Sequence, residues 1–201
     1  MHTYLRWTLL VTCLSGLVSC ASLSPKQKQT TDQAISWENR VDILSNMQNW
    51  DLKGLIAIRT RQDAWSANWQ WHQNQKDYTI ALFGPMGSHS MQLTGSAHSV
   101  LLETSDGKKL KSTNPETLLE QQLGWHLPVS SLYYWVRGLP VPNFPAQKQL
   151  DAFNRITVLT QQNWRIEYLR YSTVNHTDLP NKMILNNAAL NVKILINQWQ
   201  F

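Results

Sequence analysis

Between Trp65 and His72 the chain alternates without a break. Trp65, Ala67, Trp69 and Trp71 fall on one parity, Ser66, Asn68, Gln70 and His72 on the other. Side chains of a strand point alternately to its two faces, so this period of two describes a strand with one wet face and one apolar, aromatic face. The same period recurs in Leu52, Gly54, Ile56 and Ile58, in Tyr78, Ile80 and Leu82, in Met91 and Leu93, and in Val100 and Leu102. Asp106-Gly107 sits between apolar stretches and reads as a tight hairpin turn. Residues 50–112 are therefore predicted to form an antiparallel meander of about six short strands. Alternation returns at Ile156-Val158, Trp164-Ile166-Tyr168, Met183-Leu185 and Leu190-Val192-Ile194-Ile196, which predicts three or four more. His176-Thr177-Asp178 reads as a polar turn.

Helical spacing appears in three places. From Ile35 to about Gln48, Ala34, Trp37, Val41, Leu44 and Met47 form one stripe, with Thr31 or Asp32 as the cap. Asn114-Pro115-Glu116 is a helix start, with a capping side chain, a proline at the first position and an acid in the first turn; Gly124 stops it. Ser130 or Ser131 is expected to cap a third helix, with Leu132, Trp135 and Val136 on one face, ended by Gly138, Pro140 and Pro142. The sum is a mainly β (α+β) chain of about ten antiparallel strands. So large a sheet curls or closes, and curling makes a concave apolar face over which short helices form a pocket. Ten tryptophans supply large apolar surface with a polar handle, suited to cores, interfaces and pocket walls alike.

The N-terminus has its own logic. Arg6 precedes a short apolar run from Trp7 to Leu14, too short to span a bilayer, and reads as an export signal. Leu17-Val18-Ser19-Cys20 resembles the lipobox of bacterial lipoproteins: an aliphatic residue, a tolerant position, a small residue, then the cysteine whose thiol takes a diacylglyceryl group. Cleavage before Cys20 then removes residues 1–19, residues 20–32 form a polar lipidated tether, and residues 33–201 form one domain. Several acyl chains at about 0.8 kcal/mol per buried CH₂ make a stable anchor. By resemblance to bacterial sorting rules, Ala21-Ser22 with no Asp after the cysteine points to the outer membrane.

Sites for chemistry are lacking at the level of motifs. The histidines of the mature part, His72, His89, His98, His126 and His176, show no ligand spacing. There is no G-x-S-x-G elbow, P-loop or dinucleotide fingerprint, and no thiol remains once Cys20 is lipidated. We expect no enzyme, no metal, and no cofactor beyond the lipid on Cys20. The net charge of +5 is scattered and forms no basic block, so nucleic acid is not the expected partner; anionic lipid or an acidic protein face fits as well. One loop stands apart. In Phe83-Gly84-Pro85-Met86-Gly87-Ser88 the glycines and proline set a turn that displays Met86, an apolar tip suited to a membrane or a partner.

Taken in order, these segments resemble the LolB family of outer-membrane lipoproteins. The likeness rests on the lipobox, the N-terminal helix, Trp69-Gln70-Trp71, and Gly84-Pro85-Met86-Gly87-Ser88, where the family has Asn-Pro-Leu-Gly-Ser. Its longest piece is Leu127-Pro128-Val129-Ser130-Ser131-Leu132-Tyr133-Tyr134-Trp135-Val136-Arg137-Gly138-Leu139-Pro140, and Asn197-Gln198-Trp199 matches the family's ending. The resemblance implies an unclosed antiparallel β-barrel with a helical lid and an apolar cavity. It also implies a monomer that takes acylated lipoproteins from a periplasmic carrier and inserts them into the outer membrane. Pro85, Met86 and Gly87 would form the membrane-inserting loop, Met86 standing where the family has leucine. Trp69, Trp71, Tyr78, Ile80, Leu82, Leu93 and Trp135 would line the acyl cavity. Two other classes fit the residues: an assembly lipoprotein that binds a protein partner, and a carrier of free phospholipid.

Overall fold

A computed structural model describes residues 34–84, 90–124 and 126–201. Cys20, Pro85, Met86 and Gly87 lie outside the described residues, as do the export signal and the whole tether.

Helix α1 (Trp37–Asn46) begins at Ser36, whose hydroxyl accepts from the Asn39 backbone N–H at 3.2 Å. The cap is thus Ser36 rather than Thr31 or Asp32, because the first helical turn is set by the side chain that reaches a free N–H. Leu44 and Met47 of the expected stripe are buried, Trp37 and Val41 half-buried, and Arg40 is buried beside them.

Eleven strands follow the helix: β1 (Asn49–Arg59), β2 (Ala64–Asn74), β3 (Asp77–Phe83), β4 (Met91–Gly95), β5 (Val100–Thr104), β6 (Lys109–Ser112), β7 (Ala146–Leu150), β8 (Ile156–Gln161), β9 (Trp164–Val174), β10 (Thr177–Asn186) and β11 (Asn191–Gln200). They form one sheet in the order β6-β5-β4-β3-β2-β1-β11-β10-β9-β8-β7. Two meanders are thus zipped together where β1 pairs antiparallel with β11. β6 and β7 end the sheet without pairing with each other, so the barrel is unclosed. Their connection holds α2 (Pro115–Leu123) and α3 (Val129–Trp135).

The sheet obeys the alternation read from sequence. In β1, Trp50, Leu52, Ile56 and Ile58 are buried; in β2, Ala67, Trp69 and Trp71. The seam between the meanders is tight at Gly54, where the β1–β11 register shifts. A Cβ there would lie 1.9 Å from the Leu195 backbone oxygen, so only glycine fits. Two hairpins, β8–β9 and β9–β10, use two-residue turns: Gln162-Asn163 and Asn175-His176 all have positive φ, the geometry that matches strand twist.

Three expectations need correction. β7 adds a strand that the sequence reading passed over: Ala146-Gln147-Lys148-Gln149-Leu150 is exposed along its length, and an edge strand with no buried face leaves no alternation to read. The polar turn is Asn175-His176, and Thr177 and Asp178 already belong to β10. Asp178 is buried because Arg40 and Arg155 approach its carboxylate at 3.8 and 3.5 Å, and the Thr173 hydroxyl donates to it at 2.7 Å. Finally, α3 starts at Val129, ahead of Ser130 and Ser131, and Pro128 offers no capping side chain.

Candidate functional site: an apolar cavity beneath two helices

The strand registers set the concave face out in rows. One row runs Leu52, Trp71, Ile80, Leu93, Leu102, Leu110 across β1 to β6. The next runs Gly54, Trp69, Leu82, Met91, Thr104. On the other side lies Trp50, Gln73, Tyr78, Gly95, Val100. Over the first two rows lie α2 and α3, which present Leu119, Leu123, Val129 and Leu132. Between sheet and helices is a cavity of about 20 Å³ whose wall residues are all apolar or tryptophan. Five of the expected cavity residues, Trp69, Trp71, Ile80, Leu82 and Leu93, stand in this wall. Ile56, Ile58, Met91 and Leu127 join them.

Tyr78 and Trp135 stand elsewhere. Tyr78 belongs to the next row, against Trp71 at 6.3 Å between ring centroids. Burial, and then the charge of Glu116, push its phenol up to about 12. Trp135 faces the other half of the sheet: its indole donates to Gln161 Oε1 at 3.1 Å, and its carbonyl accepts from the Tyr168 hydroxyl at 2.9 Å. It anchors α3.

One end of the cavity is stoppered by aromatic rings. Trp50 packs against Trp71 at 5.2 Å, Trp199 at 5.5 Å and Tyr133 at 6.1 Å. Gln73 completes this floor, accepting from the Trp71 indole at 2.9 Å and donating to the Gln75 and Asp77 carbonyls. In the row above, the Trp69 indole N–H is buried without a hydrogen-bond partner among the described residues.

The two helices are held unequally. α3 is tied to the body through Trp135, through the Ser131 hydroxyl on Gln162 at 2.6 Å, and through Arg137 just beyond its end. The Arg137 side chain is buried and, among the described residues, pairs with no acid. Its Nη1 donates to the Leu44 and Met47 carbonyls at 2.8 and 3.0 Å, capping the C-terminus of α1, and its Nε donates to the Tyr133 carbonyl. A cation there suits the negative end of α1, and the Tyr133 ring lies 4.0 Å away. α2 is capped by Asn114 and stopped by Gly124 in the left-handed region, as the sequence foretold. It meets α3 through Glu116, whose carboxylate accepts from the Ser130 N–H at 2.8 Å and supplies the cap that Pro128 lacks. Otherwise its hydrogen bond to the sheet side, among the described residues, is Lys108 donating to Gln122 Oε1 at 3.2 Å.

The helical half of the wall and the Arg137 pin went unnamed in the sequence reading. The apolar spacing of Leu118, Leu119 and Leu123 carried the first signal. Nothing local carried the second, since the α1 carbonyls it caps, Leu44 and Met47, lie ninety or more residues away.

Comparison with known proteins agrees with this geometry. The family model described as outer membrane lipoprotein LolB matches residues 48–199. A protein named outer-membrane lipoprotein LolB from Pseudomonas savastanoi pv. phaseolicola is 36% identical over 98% of this chain and 97% of its own length. One of the same name from Pseudomonas aeruginosa is 38% identical over 98% and 96%. In fold, the chain is similar to a LolA superfamily protein from Nitrosomonas europaea, with TM-score 0.54 and 6% identity over 84% of this chain and 94% of that one. It is similar also to a DUF1329 family protein from Desulfovibrio piger, with TM-score 0.54 and 5% identity over 82% and 90%. The curled, unclosed sheet and its helical cover are the fold these relatives share, and by sequence along nearly its whole length the chain belongs to the LolB family of outer-membrane lipoproteins.

Proposed function

We propose that this protein takes acylated lipoproteins from a periplasmic carrier, holds their acyl chains against its concave face, and passes them into the outer membrane. The observation that carries this reading is the cavity wall: apolar side chains and indole rings from both sheet and helices enclose a space with no charged group. An acyl chain in water costs about 25 cal/mol for each Å² of exposed apolar surface, and this wall removes that cost without demanding a particular head. The cavity of about 20 Å³ is near the size that admits a single water. A chain therefore enters only as the helices move off the sheet. α2, held by fewer ties than α3, is the part that lifts.

Lipidation of Cys20 anchors the protein on the membrane that receives the cargo. Met86 dips its apolar side chain into that membrane and lowers the barrier to release. Transfer runs downhill, from carrier to cavity to bilayer, and needs no nucleotide. The test uses a form lacking residues 1–20, mixed with a lipoprotein loaded on its carrier and then with liposomes. Cargo should move onto the protein and then into the liposomes, and Met86→Glu should accept cargo but deliver it slowly. Cargo that stays on the carrier while the protein is folded rejects the reading in favour of an assembly role. Equal uptake of free phospholipid favours the phospholipid carrier.

A further inference from the structure

Beside the closed cavity lies an open groove of about 820 Å³, at the end of the sheet where β2 and β4 begin and β3 and β5 stop. Its wall includes Trp65, Thr104, Ser105, Asp106, Gln122 and the two residues Met91 and Leu123. Met91 and Leu123 also line the closed cavity. Both are half-buried, as residues at a neck between two spaces must be. The registers fix the direction. Met91 pairs with Leu82 and Thr104, in the row that holds Trp69; one row further in stand Ile80, Leu93 and Trp71; beyond them is the aromatic floor of Trp50, Tyr78 and Trp199. The cavity is thus shut at one end by packed rings and separated at the other from a wide groove of mixed apolar and polar lining by two flexible apolar side chains.

Resting on the acyl-holding reading, we infer that this groove is the entrance and the head-group subsite for an acylated lipoprotein. The glyceryl-cysteine and the first peptide residues lie in the groove, and the acyl chains pass between Met91 and Leu123 with their methyl ends toward the aromatic floor. The chemistry of the walls matches such an amphiphile part by part. The Ser105 hydroxyl and the Gln122 amide meet ester carbonyls, and the Asp106 carboxylate, which already accepts from the Thr104 hydroxyl, accepts from peptide N–H groups. The chains meet only apolar wall. At the boundary the Trp69 indole N–H, buried with no partner among the described residues, stands in the row where an ester carbonyl crosses the neck. α2 carries both Leu123 of the neck and Gln122 of the groove, so lifting α2 widens the neck and brings the polar subsite with it.

The experiment uses the full lipidated chain in vesicles and two synthetic triacylated lipopeptides. One carries a diazirine at the acyl chain end, the other a diazirine on the first peptide residue after the cysteine. After photolysis the labelled residues are located by mass spectrometry. Chain-end label should fall on Trp71, Ile80 and Leu93, and peptide label on the Thr104–Leu123 stretch. Met91→Trp and Leu123→Trp, which narrow the neck, should lower chain-end labelling by about tenfold and leave peptide labelling in place. Chain-end label in the cavity with peptide label on the α1 or β8–β9 side would overturn the entrance while leaving the acyl-holding reading intact. So would neck variants, folded by circular dichroism, that label like the parent protein. A phospholipid with the same chain-end diazirine that labels the cavity equally well overturns the lipoprotein assignment. No saturable label in the cavity from either lipopeptide overturns the acyl-holding reading and this inference with it.

Discussion

Arg137 offers the sharpest test of how the cover is held. Its guanidinium is 1% exposed and makes three hydrogen bonds, to the carbonyls of Tyr133, Leu44 and Met47 at 3.0, 2.8 and 3.0 Å. Replacing it with alanine removes these and leaves buried carbonyls unsatisfied; the Leu44 oxygen keeps only a 3.4 Å contact with the Met47 N–H. Net values of about 1.5 kcal/mol per charge-assisted bond, reduced by the relief of desolvating a cation, put the loss at about 3–4 kcal/mol. Burial does lower the Arg137 pKa, which records that desolvation. Arg137→Met keeps packing but not the bonds and should lose about 2–3 kcal/mol; Arg137→Lys keeps a charge but not the fork and should lose about 1–2 kcal/mol. Urea unfolding followed by tryptophan emission measures all three. At about 2–4 °C per kcal/mol, the alanine variant should also melt about 6–16 °C below the parent. An alanine variant within about 0.5 kcal/mol of the parent would refute the pin between α1 and α3.

Three further outcomes follow from the same geometry. Gly54→Ala forces a Cβ onto the Leu195 carbonyl and should cost about 3 kcal/mol in the same urea series, since the atom it meets belongs to the backbone of a paired strand and cannot swing aside. Tyr78→Phe removes a buried hydroxyl without a hydrogen-bond partner among the described residues and should leave stability at pH 7 within about 1 kcal/mol, on the favourable side. Because the folded phenol sits at about 12, the neutral form's contribution is full below pH 10 and fades as pH rises through 12; the phenylalanine variant should lose less over that window in alkaline melts. At the other extreme, burial alone would raise the Asp151 carboxyl, but hydrogen bonds from Arg155 and from the Phe153 N–H outweigh it and hold it low. That contribution is present above the ordinary carboxylate range and is lost as pH falls through the depressed value. Asp151→Asn should therefore cost more stability at pH 7 than at pH 2, read from melting temperatures at both.

How much of this was legible beforehand depends on how local the physics is. The six-strand meander ends at Ser112, as the alternation required, because each strand of it buries one face. α2 was legible from Asn114 to Gly124 because its caps are adjacent in sequence. The start of α3 was not, since its cap is the carboxylate of Glu116, fourteen residues earlier on another helix. β7 was invisible because no residue of it is buried. Within the cavity, Trp69, Trp71, Ile80, Leu82 and Leu93 were found because parity fixes their face. Tyr78 shares that parity but stands one row too far along, and Trp135 sits on the far half of the sheet; parity carries no information about either distance.

The central claim is that acyl chains lie against the indole rings of Trp69 and Trp71. Tryptophan emission in the presence of a triacylated lipopeptide brominated at mid-chain tests it most directly, because bromine quenches only rings it nearly touches. The account predicts saturable quenching of part of the emission, with that part abolished in the double variant Trp69→Phe, Trp71→Phe while the variant remains folded. Quenching that survives unchanged in the folded double variant, or that never appears in the parent protein, would contradict it.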